Sequence, residues 1–270
     1  MPQIHRTAIV EDGAQLGVDV ELGPYCFVGP QVSLGDGVKL GSHVVVDGTT
    51  EIGARTVVHS SAVLGGPAQF RAPAGENARL VIGADNIIRE FVTMNTGTAK
   101  GGGVTSVGEG GYYMAYSHIA HDCHVGNNVT FANNVALAGH VTVEDGANIG
   151  GFVAVLQFVR IGRNAFVGGM TGLPTDVIPY GLAQGARASL QGLNLVGLRR
   201  MGIPRDRIHA LRAAFRFMFE EQHGSLEQRV REAAERWETP EAREVTGFVL
   251  SDSKRPICVP LHSRSETRGD

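Results

Sequence analysis

The chain has 270 residues, a formal net charge of −3 and 43% hydrophobic content, which allows a sizeable core and makes no global case for nucleic acid as a partner. No apolar run approaches the ~20 residues of a membrane span, and "MPQIHRTAIVEDG" has neither the basic start nor the apolar segment of a signal peptide, so a cytoplasmic protein without stable membrane insertion is expected. Cys26, Cys123 and Cys258 are odd in number and far apart, which fits reduced thiols, and 37 glycines beside only 6% aromatics direct the search to internal repeats.

From Leu16 an aliphatic residue returns every six positions, through Leu22, Val28, Leu34, Leu40, Val46, Ile52, Val58 and Leu64, and glycine follows in seven of these nine cases. The beat recurs at Ile82, Ile88 and Met94, slips by one residue, and then runs from Val107 through Tyr113, Ile119, Val125 and Phe131 to Leu173. A period of six fits neither a helix nor a simple strand. It fits a parallel β-helix whose short strands each end in a turn, with three hexads per coil and residues i and i+18 stacked ~4.8 Å apart. Two stretches rich in glycine, alanine and proline, 66–80 and 95–106, read as loops leaving the coil, and long loops on a rigid scaffold favour functional sites.

After Leu173 the pattern changes. Pro204 followed by Ile208, Leu211, Phe215 and Met218 predicts a helix, which Gly224 can close. Ser225 with Gln228 forms a capping box for a second helix carrying Leu226, Val230 and Trp237, and Thr239 with Pro240 starts a third. The tail from about Ser251 is polar, contains Pro256 and Pro260, and reads as irregular. The expected domains are a β-helix over 1–185 and a helical region with an irregular tail over 186–270.

Residues 118–124 read "HIAHDCH", which alone permits a metal site, a Cys/His pair or a histidine base. The coil length decides part of this. His121, Gly139 and Gln157 are 18 apart and form one outward column, and Asp122 stacks under His140. Cys123 and Cys26 each precede an inward residue by two, a slot where small residues fill the corner of the core, so both read as packing. Histidines three apart on a tight coil point from different places, which argues against "HxxHxxH" as a ligand set; no metal and no cofactor is expected.

The hexads together with "IAHDC", "LAGH", "GGFVAVLQF", "AQG" and "GLNLVGLRR", followed by a helical tail, resemble the UDP-N-acetylglucosamine acyltransferase family of lipid A biosynthesis over nearly the whole length. The resemblance implies a left-handed β-helix and a homotrimer with active sites between neighbours. It implies transfer of a 3-hydroxyacyl chain from acyl carrier protein to the 3-position of the UDP-sugar. It further implies His121 as general base, Asp122 as the carboxylate orienting it, the Gly139 N–H as oxyanion donor, and His118, His140, Gln157, Asn194, Arg200 and Gln69 as substrate contacts. Gly169 matches the position where the family measures acyl length, and its lack of a side chain predicts a long donor.

Between residues 187 and 216 stand seven arginines and one acid, Asp206. With Arg199, Arg205, Arg207, Arg212 and Arg216 among them, this stretch reads as a dock for the acidic carrier protein. Several positions depart from the family pattern around the sugar: Phe70, Arg71 and Ala72 after Gln69, then Leu156, Val196 and Met201. Lost polar partners weaken selection for a sugar hydroxyl, so a 3-amino acceptor giving an amide stands as the alternative to the hydroxyl sugar. More distant alternatives are a trimeric zinc enzyme of the carbonic anhydrase type and a purely structural β-helix.

Overall fold

The computed structural model describes residues 1–71 and 78–261. The chain winds as a left-handed parallel β-helix with a helical region after it. Each hexad contributes a strand of mostly two residues, and successive strands fall on three faces in turn, giving sheets of eleven, nine and eight strands. In one coil, Tyr112–Tyr113 lies on the first face, His118–Ile119 on the second and His124–Val125 on the third. The register is the expected one: Ile119 pairs with Leu137 and Leu137 with Val155, steps of 18 residues. From Glu21–Leu22 onward the second residue of each two-residue strand is buried. Leu64, Ile88, Met94, Tyr113, Ile119, Phe131, Leu137, Ile149 and Ile161 are fully buried in one continuous column.

The corners carry the handedness. At many of them the second turn residue has positive φ, including Tyr25, Phe91, Tyr116, Asp122, His140, Phe152, Phe158 and Met170, all between 58° and 65°. For bulky side chains this region is strained, and the repeated coil stack enforces it. At the corner between the first and second faces, Tyr25, Phe91, Tyr116, Phe152 and Met170 stand exposed, and Phe91 stacks on Tyr116 at 4.9 Å.

Two loops interrupt the winding. Val63–Gly66 leads into the first, whose described part runs to Arg71, and Arg79–Ile82 resumes the coil. Thr93–Asn95 leads into the second, and Val104–Val107 resumes it. Both loops are narrower than their sequence limits, because Arg79–Ile82 pairs over four residues with Thr49–Ile52 on one side and Val104–Val107 on the other.

At the C-terminal end Gly181–Gln184 and Ser189–Leu193 form an antiparallel hairpin that periodicity does not signal. Four helices follow: α1 (Leu195–Arg200), α2 (Arg205–Phe219), α3 (Leu226–Arg236) and α4 (Pro240–Leu250). Ile208, Leu211, Phe215 and Met218 of α2 are buried, Ser225 caps α3 through Gln228 N–H, and Trp237 ends α3 instead of extending its face. The tail lacks regular structure yet is tightly attached. Asp176 N–H donates to Pro256 O, Cys258 N–H to Asp176 O, and the buried Asp176 carboxylate accepts from Arg160 Nε and Ser253 Oγ. This end of the solenoid is covered, whereas Gln3, Ile4 and Ile9 in the first coil are exposed. Among the described residues no helix is long and apolar enough to cross a membrane.

Candidate active site

The site lies at the corner between the second and third faces, where "HIAHDCH" turns. The strand His118–Ile119 ends, His121 and Asp122 form the turn, and His124–Val125 resumes on the next face. Positive φ at Asp122 swings its carboxylate back toward the His121 ring. His121 Nδ1 lies 2.8 Å from Asp122 Oδ2. An ionised carboxylate only accepts hydrogen bonds, so Nδ1 carries the proton and Nε2 is left as the acceptor.

Asp122 is held from the second loop. Thr98 N–H donates to Oδ1 at 2.8 Å and the Thr98 hydroxyl to Oδ2 at 2.7 Å. Thr98 in turn caps the short turn Ala99–Gly101, accepting from Gly101 N–H. Gly101 packs so closely on the carboxylate that a methyl group there would fall inside it. Burial works to raise the Asp122 pKa, but the bonds from Thr98 and His121 outweigh it and hold the carboxyl below the usual carboxylate range. His121 is outward with respect to the coil, as expected, but it is not a surface residue. It is 5% exposed and lies against Phe70 of the first loop, whose ring centroid is 5.5 Å away.

The expected columns form. A methyl group at Gly139 would overlap the His121 ring, so glycine at this position lets the ring lie across the next coil. The Gly139 N–H donates to no acceptor among the described residues. His140 stands edge-on to His121 at 5.2 Å, with Nε2 3.8 Å from Asp122 Oδ2, and stacks on Phe158 at 4.5 Å. Burial lowers the His140 pKa against the pull of Asp122, and His121 and Lys254 reinforce the lowering. His118 receives a hydrogen bond to Nδ1 from the Thr93 hydroxyl, or gives one to it, at 2.7 Å, and burial followed by the charge of His121 lowers its pKa. Both neighbouring imidazoles are therefore biased toward the neutral form.

The three histidines of the motif diverge, His118 bonding to Thr93 on the second face and His124 to Ser106 on the third. By donor type the set among the described residues that could hold a cation is instead His121, Asp122 and His140, whose ligand atoms lie within 4.8 Å of one another. Both Asp122 oxygens already accept hydrogen bonds, however, and a cation would have to displace them. Cys123 is inert: its thiol donates to Ala138 O and burial pushes its pKa up to about 12. Cys26 is likewise buried, with its thiol on Gly41 O.

The remaining sequence candidates do not gather here within one chain. Gln157 is exposed in the His121 column, with its backbone carbonyl accepting from Arg255 Nε. Gln69 is exposed in the first loop beside Phe70; Ala72 lies outside the described residues. Gly169 sits at the corner between the first and second faces, beside Met170. Asn194 caps α1, accepting from Gly197 N–H and donating to Asn164 O, and touches no residue of the His121 cluster. Leu156, Val196 and Met201 are all exposed.

The basic stretch divides. Arg205, Arg212 and Arg216 are exposed on one stripe of α2, and Arg199 and Arg200 are exposed at the end of α1. Arg207 does not belong with them, because its guanidinium forms a two-pronged pair with the buried Glu241 that ties α2 to α4. Sequence reading also missed Thr98, Phe158 and the tail residues Lys254 and Arg255. Only Thr98 had a local signal, a threonine placed to cap the glycine-rich turn.

Comparison with known proteins follows the same lines. The model of a family described as UDP N-acetylglucosamine O-acyltransferase, domain 2, matches residues 176–258. A protein of Sinorhizobium fredii named acyl-(acyl-carrier-protein)–UDP-N-acetylglucosamine O-acyltransferase is 47% identical over 261 residues, 96% of each chain. One of the same name from Anaeromyxobacter dehalogenans is 49% identical over 94% of this chain and 98% of its own. Among solved structures, UDP-N-acetylglucosamine acyltransferase from Campylobacter jejuni superposes with a TM-score of 0.89 at 39% identity, covering 95% of this chain and 99% of the other.

Proposed function

Because the chain belongs to the acyl-(acyl-carrier-protein)–UDP-N-acetylglucosamine O-acyltransferase family, we propose that it transfers a 3-hydroxyacyl chain from acyl carrier protein to the 3-hydroxyl of UDP-N-acetylglucosamine, the first step of lipid A biosynthesis. The observation that carries this reading is the relay from Thr98 through Asp122 to His121, which leaves Nε2 of a shielded imidazole free to accept a proton. In the reaction Nε2 takes the proton of the sugar hydroxyl as that oxygen attacks the thioester carbonyl. The Gly139 N–H donates to the oxygen that becomes negative, the C–S bond breaks, and the proton passes from Nε2 to the departing sulfur. Asp122 remains ionised and stabilises the imidazolium between the two transfers. Positioned proton transfer contributes ~10² to 10⁴ in rate, and an oxyanion donor ~10² to 10³ more. The chemistry assigned to these residues uses no metal.

A homotrimer fits the same reading. The His121 column occupies one corner of the prism and Gly169 another, so a continuous site for sugar and acyl chain is completed by a neighbouring copy, and the exposed ridge of Tyr25, Phe91, Tyr116, Phe152 and Met170 offers it an apolar surface. Asn194 and Arg200 would then contact substrate held against a neighbour. The exposed stripe Arg205, Arg212 and Arg216, with Arg199, is the surface proposed to receive acyl carrier protein in the cytoplasm.

The hydroxyl acceptor is preferred to the 3-amino sugar because the relatives quoted above are O-acyltransferases by name. Rates with UDP-N-acetylglucosamine and with its 3-amino analogue, measured with one 3-hydroxyacyl carrier protein, test it. Faster use of the hydroxyl sugar is expected; a tenfold preference for the amine would reverse the assignment.

A further inference from the structure

The C-terminal tail brings two cations onto the column that rises from the base. Arg255 Nε donates to Gln157 O at 2.7 Å, and the Lys254 ammonium sits 4.1 Å above the Phe158 ring. Phe158 stacks on His140, and His140 faces Asp122. Gln157 and Phe158 thus stand two coil steps above His121 and Asp122. The tail is not loosely draped there. Arg160 grips it through Ser251 Oγ and Phe248 O, and the buried Asp176 carboxylate holds both Arg160 and Ser253.

Among the described residues neither cation is neutralised. Lys254 has no ion-pair partner among the described residues, and Arg255 uses Nε on a carbonyl while forming no ion pair. A cation held over an aromatic face is fixed in position but keeps its other donors for an anion. We propose that Lys254, supported by Arg255, binds the diphosphate of the nucleotide sugar. This inference rests on the acyltransferase reading above.

The spacing favours the diphosphate over the other phosphate that the reaction brings. Two coil steps amount to about 10 Å. In the sugar nucleotide, the reacting 3-hydroxyl and the farther phosphorus are separated by about seven bonds, roughly 9 Å when extended. In the carrier protein's prosthetic arm, the thioester sulfur and the phosphodiester are about thirteen bonds apart, roughly 16 Å. A cation placed two coils from the base therefore matches the acceptor.

The test uses the full-length enzyme and Lys254→Met, which keeps the apolar stem over Phe158 and removes only the charge. Loss of one charge-assisted hydrogen bond should raise KM for UDP-N-acetylglucosamine about tenfold while kcat and the KM for 3-hydroxyacyl carrier protein stay within about twofold. Lys254→Arg should restore most of it. Calorimetric titration with UDP alone should show the same tenfold weakening without depending on turnover. A wild-type enzyme that binds UDP but transfers no acyl chain would sink the acyltransferase reading and leave this one open to the UDP titration. Unchanged UDP affinity in Lys254→Met, or a rise confined to the KM of the carrier protein, would overturn the assignment of Lys254 to the diphosphate.

Discussion

Replacing Gly101 with alanine places a methyl group inside the Asp122 carboxylate. Ordinary nonbonded contact is about 3.5–4 Å, so the carboxylate or the turn Ala99–Gly101 must move by roughly 1 Å or more. The carboxylate is not a loose end, since Thr98 N–H, the Thr98 hydroxyl and His121 Nδ1 all hold it. Such a shift breaks at least one hydrogen bond to a charged group, costing about 1.5–3 kcal/mol of stability. It also misplaces the imidazole, and a displacement of about 1 Å near the chemistry costs about 10² in kcat. The assay is steady-state acyl transfer beside urea unfolding. Gly102→Ala is the control: a methyl group there meets no atom within 4 Å but must adopt a φ of 99°, so it should lose stability with kcat within about threefold of wild type. A Gly101→Ala enzyme whose kcat also stays within about threefold would refute the claim that the second loop positions the base.

His121→Ala should lose at least ~10² in kcat; more than about a tenth of wild-type rate remaining would contradict its role as base. Asp122 has a depressed pKa in the folded chain, so its contribution to stability is fully present above about pH 4, its unfolded range, and is lost as pH falls through the folded value. The difference in unfolding free energy between wild type and Asp122→Asn should accordingly be constant near neutrality and shrink in acid, and a gap that widens on acidification would show the sign to be wrong. Arg207→Ala strands a buried carboxylate and should cost about 3 kcal/mol of stability, whereas Arg212→Ala should leave stability unchanged and raise the KM for acyl carrier protein; equal effects of the two on that KM would return Arg207 to the docking surface. With no side chain at 169, long 3-hydroxyacyl donors should outcompete short ones, and Gly169→Met, whose Cβ meets only Gly151 backbone at 3.2 Å, should reverse the order if this position measures the chain.

The solenoid was legible because its rule is one-dimensional. An inward aliphatic residue every six positions gives the strands, and steps of 18 give the columns, so His121 under Gly139 and Asp122 under His140 could be placed by counting. What counting cannot reach is whatever crosses the coil from outside. Thr98 and Gly101 belong to a loop whose return angle no period encodes, and they hold Asp122, while Phe70 of the other loop lies against a histidine that the column alone left at the surface. Arg207 looked like its basic neighbours because its partner Glu241 lies 34 residues further on, on another helix. The tail from Ser251 has no periodicity, and its attachment depends on the buried Asp176–Arg160 pair. The hairpin after Tyr180 was hidden because its antiparallel turn abandons the hexad.

The two ends of the solenoid are unlike, and this bears on how the molecule comes apart. Each coil rests only on its neighbours, so opening proceeds rung by rung from whichever end is less well sealed. The hairpin, helices and tail plug the C-terminal end, while the first coil presents Gln3, Ile4 and Ile9 to water. Fraying should begin there, giving fast amide exchange that slows coil by coil. His118–Ile119 is the sixth of nine strands on its face, counted from that end. The base and its carboxylate are therefore insulated from the fraying edge by five rungs of ladder, and trimming the first coil should shorten the protein without loosening its chemistry.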